Sequence, residues 1–469
     1  MSEAVRVERK HDCQDGRHFE LFHAHDDDVA WASVCGALGP DALFSEERWG
    51  PVYTRTATIP FQLELRVGER PGKVAIVFRV NTSLRTRALG LAHVAEVFEQ
   101  PSPGSSKTPG PAREPAYFDH AASTPCDPRV IAELSRALSE LGHPDATHGH
   151  GRAAKARLEA SERTIAEAVG GGEVIWTSGA TEANARALAT GLRFVTTRAE
   201  HPSVLEPLTG REVVYAPLDR DGLVDVDAVV AAAAAGPCVV SLAHACSVTG
   251  VLQPIVELAE RLPADAWLHV DAAQSFTRDE GVLQHPRLDA ITVSAHKIGG
   301  PVGIGALVVR REGRVAPRKG TAPVALATAF SLATRLALDE AHERRAACEA
   351  VGRDLRDALE PLGAAPVSRA KALPHVLCTR FVGLDARAVQ LALAPVMSVS
   401  LGSACRAASP EPSEALLAMG LSRTEAREAL RFSWCASSAV PDLTSVAASL
   451  RASRHARWET LVTKPNGVA

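Results

Sequence analysis

The chain has 469 residues, which is longer than a single hydrophobic core usually supports. This length predicts two or three domains. Its composition, 46% hydrophobic and 23% charged, is typical of a soluble globular protein. The formal net charge of -4 gives no electrostatic reason to expect nucleic acid or an anionic membrane as a partner.

The start of the sequence is charged and has no apolar run of the signal-peptide kind, and Ala228–Ala235 is much shorter than the roughly 20 residues that span a bilayer. Nine cysteines are scattered without a C-x-x-C pair, which indicates neither a zinc site nor a disulfide framework. We therefore expect a cytoplasmic protein with no membrane segment and no metal site.

The first 100 residues predict a separate small α+β module. Residues 61–67 alternate between apolar and polar side chains, as a half-buried strand does, and residues 73–80 predict a second strand. Residues 83–98 are interpreted as a helix, and the histidines and acids at 18–28 as a solvated loop rather than a metal site. A Pro/Gly/Ser-rich linker follows at 101–112. The sequence predicts no role for this module.

After the linker, short apolar strands alternate with helices, which favours a mostly parallel sheet covered on both faces. The helix starts include Asp127-Pro128, a capping residue followed by proline. The predicted strands are 174–176, 213–216, 239–242, 268–270, 291–293 and 306–309. We expect a large domain at 113–343 and a smaller α/β domain at 344–469, with which residues 116–140 can also pack.

Three segments of the large domain carry candidate chemistry. Trp176–Glu182 joins a strand to a helix through small residues, where backbone N–H groups can bind phosphate, although an ordinary tight turn fits equally well. Asp271 ends a buried strand, where it is either a functional carboxylate or a helix cap. Lys297 lies between a strand end and a glycine turn, as a buried amine or a flexible surface lysine. Together they meet the needs of pyridoxal phosphate (PLP): a phosphate site, an acid for the ring nitrogen and an amine for a Schiff base.

The order and surroundings of these segments resemble the cysteine desulfurases, which are PLP enzymes of fold type I, from about Tyr117 to about Ser438. The matching motifs lie, in chain order, at 117–125, 148–152, 178–184, 200–201, 253–255, 269–274 and 294–305. The segment Ser400–Cys405 resembles the sulfur-accepting loop of that family. A thiol among Gly, Ser, Ala and Pro residues is expected to be mobile and partly exposed, which a sulfur carrier requires.

The resemblance implies a role for each matching residue. Lys297 would bind PLP covalently and move protons, His201 would stack on its ring, and Cys405 would attack the sulfur of L-cysteine, which leaves alanine and an enzyme persulfide. The other implied cofactor ligands are Asp271 at the ring nitrogen, Gln274 at the ring oxygen, and Ala180, Thr181, Ser294, His296 and Thr321 around the phosphate. Arg431 and Ser247 would bind the substrate.

The chain departs from the family at three places. Cys246–Thr249 replaces two asparagines and an acid, which affects substrate binding at Ser247. Residues 310–319 form a short basic connector where the family has a glycine-rich segment, and Trp434-Cys435-Ala436 replaces a small residue, Gly and Arg.

Alternatives remain within this resemblance. The same fold supports selenocysteine lyases, epimerases and aminotransferases, of which the last two have no use for a mobile thiol. A weakly active scaffold that acts through its N-terminal module is a second alternative. The resemblance further implies a homodimer and a sulfur acceptor, either a protein or a small-molecule pathway.

Overall fold

The structure is a computed structural model that describes residues 114–450, except 191, 279–280, 312–313, 319, 402–411 and 449, together with six strands before residue 81. The chain divides into two compact units, Met1–Ala112 and Arg113–Ala469. No described helix has the length and apolar character needed to cross a membrane.

The described strands of the first unit form one antiparallel sheet in the order β1-β2-β6-β5-β4-β3. They are β1 (Arg6–Glu8), β2 (Glu20–His23), β3 (Leu43–Trp49), β4 (Val52–Ile59), β5 (Leu63–Arg70) and β6 (Lys73–Val80). The strand predicted at 61–67 is β5, which begins two residues later, and the strand predicted at 73–80 is β6. The helix predicted at 83–98 and the linker at 101–112 lie outside the described residues.

The second unit alternates strands and helices, as predicted. Its strands are β7 (Ala116–Tyr117), β8 (Glu173–Thr177), β9 (Arg193–Thr196), β10 (Val213–Tyr215), β11 (Cys238–Ala243), β12 (Trp267–Asp271), β13 (Ala290–Ser294), β14 (Gly305–Val309), β15 (Ala364–Pro366), β16 (Val376–Phe381), β17 (Met397–Ser398) and β18 (Ala429–Ser433). Its helices are α1 (Pro128–Leu138), α2 (Gly149–Ala168), α3 (Ala180–Ala187), α4 (Pro202–Leu205), α5 (Val226–Ala233), α6 (Ile255–Arg261), α7 (Val324–Asp339), α8 (Ala341–Leu359), α9 (Ala386–Leu393), α10 (Glu414–Ala418) and α11 (Arg423–Arg427).

The main sheet has the order β10-β9-β11-β12-β13-β14-β8, in which β14 alone runs antiparallel to its neighbours. Every residue of β12, β13 and β14 is buried. Strands buried on both faces are largely apolar, which is why short apolar stretches in the sequence indicated them. The sequence missed β9, a four-residue strand beside β11.

Helices α1, α2 and α7 pack together on this sheet and share its largest apolar core. The start of α1 follows the predicted pattern, because Asp127 accepts a hydrogen bond from Arg129 N at 2.9 Å and Pro128 occupies the first turn. The core contains Val130 of α1, Ile165 of α2 and Phe330 of α7.

A smaller antiparallel sheet, β15-β16-β18, has its own apolar core with α8 and α9. The short strand β7 pairs with β17, and Phe118 packs near Trp434 in this smaller core. Residues 116–118 thus pack with the C-terminal part, whereas α1 packs on the large core. The domain boundary expected between residues 343 and 344 falls inside α8.

Candidate active site

The carboxyl ends of neighbouring parallel strands bring the candidate residues to one edge of the main sheet. Asp271, the last residue of β12, pairs with Ala243 at the end of β11 and with Thr292 of β13. Ser294 ends β13, and His296 and Lys297 follow directly. In open α/β sheets this edge is where ligands bind.

Asp271 and His201 are joined by a chain of buried hydrogen bonds. Asn184 Nδ2 donates to Asp271 Oδ2 at 2.7 Å and to Ser203 Oγ at 2.9 Å. The Ser203 hydroxyl lies 2.8 Å from His201 Nδ1, and the second oxygen of Asp271 accepts from Ala273 N at 2.9 Å. Asn184 and Ser203 therefore fix both the carboxylate and the imidazole.

Burial lowers the pKa of His201 below its usual value. The charge of Asp271 opposes this shift, whereas the charges of Lys297 and Arg431 add to it. The ring of His201 is therefore mostly neutral at pH 7, and the charges of the other three side chains act on it.

Glu200 is a second buried acid at this edge. Its oxygens accept hydrogen bonds from Thr197 Oγ1 and from Ala243 N, both at 2.8 Å. Burial is the largest influence and, with the nearby charge of Asp271, raises the pKa of Glu200 to about 8. Glu200 is therefore largely protonated at neutral pH, which places a neutral acid next to the ionisable Asp271.

Lys297 is half-buried at the start of a tight turn. Its carbonyl oxygen accepts a hydrogen bond from Arg278 Nη2 at 2.7 Å, and the turn closes through Gly300 N and Ala295 O at 2.9 Å. A Cβ at residue 300 would lie 2.8 Å from the Cβ of Ala295, so this turn requires glycine. Burial first, and then the charge of Lys297, lower the pKa of His296 to about 4.

The candidate phosphate site lies where α3 begins. A Cβ on Gly305 would come within 2.8 Å of Gly179 Cα, so the absence of a side chain lets β14 approach the start of this helix. Ala180 and Thr181 form the first turn of α3, whose N–H groups are available to an anion. His296 Nδ1 lies 3.3 Å from Ser123 Oγ.

Arg431 is buried on β18, with 2% of its surface exposed. It donates to Asp119 Oδ1 at 2.6 Å and to the carbonyl oxygen of Ser247 at 2.8 Å. Ser247 thus contacts Arg431 through its backbone. Because Arg431 Nη2 already donates to Asp119, a substrate carboxylate has to bind the remaining N–H donors of the guanidinium or displace Asp119 from this ion pair.

Seven buried side-chain polar atoms have no hydrogen-bond partner within the described part of the chain, and four of them belong to residues of this site: Asn184 Oδ1, Gln274 Oε1, Ser294 Oγ and Arg431 Nε. Nearly all buried polar atoms in proteins have a hydrogen-bond partner, so these atoms are available to a bound group. Gln274 Nε2 already donates to Ala121 O at 3.1 Å. The Ser294 hydroxyl and the Gln274 amide, near the ends of β13 and β12, fit the phosphate and the ring substituents of PLP. The Arg431 guanidinium fits the carboxylate of an amino acid.

Two predicted residues stand apart from this set. Thr321 is exposed, and its hydroxyl lies 3.3 Å from His143 Nε2. Cys405 belongs to segment 402–411, outside the described residues. The chain approaches that segment beside Arg431, because Ser400 and Arg431 exchange two backbone hydrogen bonds of 2.9 and 3.2 Å.

The sequence patterns indicated no role for Asp119, Asn184, Glu200 or Ser203. The first three lie inside the motifs quoted for the resemblance, and their polar character within apolar surroundings was the available signal. Their partners lie up to 312 positions away along the chain, and the sequence does not reveal such pairings. No group of three or more His, Cys, Asp or Glu residues suited to a metal ion occurs among the described residues.

The sequence model of the family described as "Aminotransferase class-V" matches residues 116–321. A curated relative, cysteine desulfurase IscS of Anaeromyxobacter dehalogenans, is 34% identical over 353 residues, which cover 68% of this chain and 87% of the relative.

Two solved structures are also similar. The NifS-like protein from Rickettsia africae has a TM-score of 0.64 and 25% identity, covering 73% of this chain and 99% of that one. SspA, in complex with cysteine, has a TM-score of 0.59 and 27% identity, covering 68% and 98%. The fold is that of NifS-like fold-type I enzymes, and the chain belongs to the cysteine desulfurase family.

Proposed function

We propose that this enzyme uses PLP to convert L-cysteine to L-alanine and holds the released sulfur as a persulfide on Cys405. The observation that carries the proposal is that Asp271 ends a strand and Lys297 follows the neighbouring strand at one sheet edge, with His201 joined to Asp271 through buried hydrogen bonds. Membership in the family supports it, as does the cysteine bound to the related SspA.

Lys297 would hold PLP covalently, with Asp271 at the ring nitrogen, His201 against the ring and Gln274 at the ring oxygen. Ala180, Thr181, Ser294 and His296 would bind the phosphate, and Thr321 would serve the site of a second subunit. When bound there, PLP supplies an electron sink for the bonds that break in the substrate. The unpaired Ser294 Oγ and Gln274 Oε1 support this assignment.

Side chains of this protein would bind the substrate and transfer the protons. Arg431 and the backbone of Ser247 orient the carboxylate of L-cysteine. The Lys297 amine takes the proton from the substrate Cα, and the neutral His201 exchanges protons with the substrate amine or thiol. The hydrogen bond from Asn184 keeps Asp271 in place during this exchange.

Cys405 would attack as a thiolate. Its sulfur forms a bond to the substrate sulfur while the Cβ–S bond breaks, and the carbon skeleton takes up a proton and leaves as alanine. Ser400 is bonded to Arg431, and five residues span at most about 17 Å, so Cys405 is within reach of the substrate site. A separate protein or small molecule would then receive the sulfur.

The proposal includes a homodimer in the cytoplasm. Exposed Thr321 is available to a second subunit, and all six cysteines among the described residues are free, as is usual in a reducing compartment. Light scattering should give about twice the 49.5 kDa of one chain. A mass near one chain in an active preparation would contradict the dimer.

The reaction is tested with the purified full chain, PLP and L-cysteine, by measuring alanine and sulfide together. We expect alanine in amounts that match the sulfide released by an added thiol reductant. A parallel reaction with L-selenocysteine separates the desulfurase from a selenocysteine lyase. Turnover of selenocysteine without turnover of cysteine would contradict the proposed substrate.

A further inference from the structure

Arg278 lies in the turns that follow β12, four residues after Gln274. It is half-buried, and burial lowers the pKa of its guanidinium to about 10, so the group remains charged at neutral pH. The proposed function gives this cation no role. A charged group that is removed from water has to be compensated by hydrogen bonds, so the atoms that Arg278 contacts indicate what it does.

Two contacts of Arg278 reach the segments that carry the proposed PLP ligands. Its Nη2 donates to the carbonyl oxygen of Lys297 at 2.7 Å, and its Nη1 lies 3.4 Å from the carbonyl oxygen of Gln274. The first is a short hydrogen bond, and the second is at the upper limit of hydrogen-bond length. Arg278 therefore holds the backbone of the residue that is proposed to attach PLP.

A third contact of Arg278 reaches the smaller sheet. Its Nη1 lies 2.7 Å from Nε2 of His375, a buried residue that directly precedes β16. A guanidinium has no acceptor atom, so Nε2 of His375 accepts this hydrogen bond and the ring proton lies on Nδ1. Burial first, and then the charge of Arg278, lower the pKa of His375 well below its usual value, which agrees with a neutral ring.

His375 is connected in turn to the strand that contains Arg431. Its carbonyl oxygen accepts a hydrogen bond from Trp434 N at 3.1 Å, and β16 pairs with β18. Arg431 lies in β18, which Trp434 directly follows. A path of hydrogen bonds therefore runs from Lys297 through Arg278 and His375 to the strand of Arg431.

The backbone before Arg278 is held in a strained conformation. Thr277 is buried and has a φ of 63°, and it is the one non-glycine residue in the described part of the chain with a positive φ. A β-branched residue rarely adopts this region, and such strain persists where the surrounding structure enforces it. Arg278 N donates to Ser275 O at 2.8 Å, so this turn determines the direction in which the Arg278 side chain leaves the backbone.

We propose that Arg278 is a positioning residue that sets the spacing between Lys297 and Arg431, so that the site favours amines that carry a carboxylate. This inference rests on the proposed function, in which Lys297 attaches PLP and Arg431 binds the substrate carboxylate. Lys297 follows a strand of the main sheet, whereas Arg431 lies in the smaller sheet, so one substrate meets both only at a fixed spacing. A guanidinium suits this task because its planar fork bonds two acceptors in fixed directions.

Arg310 provides a matched control. It is also half-buried, burial lowers its pKa, and it donates to the carbonyl oxygens of Gly171, Leu283 and His285 at 2.5–3.1 Å. It follows β14 at the end of the main sheet where β13 begins, away from Lys297. Loss of this guanidinium therefore removes comparable hydrogen bonds without a change at the site.

The first test compares the binding of L-alanine and ethylamine, which differ only by the carboxylate, to the full chain loaded with PLP. The change in PLP absorbance during titration gives both affinities. The native chain should prefer L-alanine, and the ratio of the two affinities should fall at least about tenfold in Arg278→Met but not in Arg310→Met. An unchanged ratio in Arg278→Met, or an equal fall in both variants, would overturn the positioning role.

The second test breaks the same path at His375. His375→Leu should lower the ratio as Arg278→Met does, and the double variant should be no worse than either, because both changes interrupt one path. His375→Gln keeps an acceptor and should restore most of the ratio. Additive losses in the double variant would overturn the path. Arg278→Lys keeps the charge but not the fork, so it should also lower the ratio, and it provides the test if Arg278→Met does not fold.

Mass spectrometry after borohydride reduction measures the attached PLP in each protein before the titrations. A native chain that attaches no PLP would contradict the proposed function, and this inference with it. A native chain that attaches PLP and prefers L-alanine, together with an unchanged ratio in Arg278→Met, would overturn the positioning role alone.

Discussion

Asn184 and Asp271 lie 87 positions apart in the sequence, yet Asn184 Nδ2 donates a hydrogen bond to Asp271 Oδ2 at 2.7 Å. The same amide nitrogen bonds Ser203 Oγ, the neighbour of His201 Nδ1. Asn184 therefore positions both the Asp271 carboxylate, proposed to bind the PLP ring nitrogen, and the His201 imidazole, proposed to stack on the PLP ring.

Asn184→Ala should weaken PLP binding by about ten- to a hundredfold, because a buried hydrogen bond to a charged group contributes roughly 1.5–3 kcal/mol. Fluorescence titration of the apoenzyme with PLP measures this directly. Ser203→Ala keeps the bond to Asp271 and should change the affinity much less. A folded Asn184→Ala protein with unchanged PLP affinity would contradict the positioning role.

Glu200 makes stability depend on pH. Its folded pKa of about 8 lies above the usual value, so between pH 4.5 and 8 the folded state holds a proton that the unfolded state has lost. This group's stability contribution therefore falls by about 1.4 kcal/mol per pH unit as pH rises in that range. His244 and His269, with pKa values lowered to about 4 by burial, act in the opposite direction only below about pH 6.5.

The free energy of unfolding should thus fall by roughly 1 kcal/mol from pH 6.5 to 7.5 in the native chain and much less in Glu200→Gln. Urea unfolding at the two pH values checks this, with the exposed Glu260→Gln as control. An equal pH dependence in all three proteins would show that Glu200 is not protonated in the folded state.

Lys297→Ala should abolish both turnover and covalent PLP attachment, because no other lysine among the described residues follows a strand of the main sheet. Absorbance of the dialysed protein and mass spectrometry after borohydride reduction detect the attached cofactor. Lys155→Ala changes an exposed helical lysine and should leave both intact. Covalent PLP retained in Lys297→Ala would mean that another lysine carries the cofactor.

Asp271→Asn should still bind PLP but slow alanine formation by about two orders of magnitude or more. The amide cannot stabilise a positive charge on the ring nitrogen, and lost electrostatic stabilisation of this kind typically costs roughly 3 kcal/mol. Single-turnover alanine release measures the effect. A near-normal rate would exclude Asp271 from that role.

The sequence predicted the parts of the fold that local patterns determine. The buried strands β12 and β13, the cap at Asp127 and the strand-end positions of Asp271 and Ser294 all follow from hydrophobic runs and helix-start chemistry. It could not predict which polar groups would meet, such as Arg431 with Asp119 across 312 positions. Those pairings depend on how the sheets pack, which is a property of the whole chain.

The same limit applies to the thiols. Composition favours Cys405 as the carrier, since it lies among Gly, Ser and Ala residues. The sequence does not reveal which of the other cysteines are buried, as Cys246 and Cys378 are.

Cys246 is the competitor that matters for the central claim, because it replaces a residue expected beside the cofactor. It is 6% exposed and held by backbone hydrogen bonds from Cys246 N to Val251 O and from Gly250 N to Cys246 O. A thiol fixed in this way could contact the substrate but could hardly deliver sulfur to a separate acceptor.

The most direct measurement is therefore the location of the persulfide after one turnover with L-cysteine, by alkylation and peptide mass spectrometry. The account predicts the label on Cys405, its loss in Cys405→Ser, and its retention in Cys246→Ser. A label on Cys246, or normal sulfur transfer by Cys405→Ser, would contradict it.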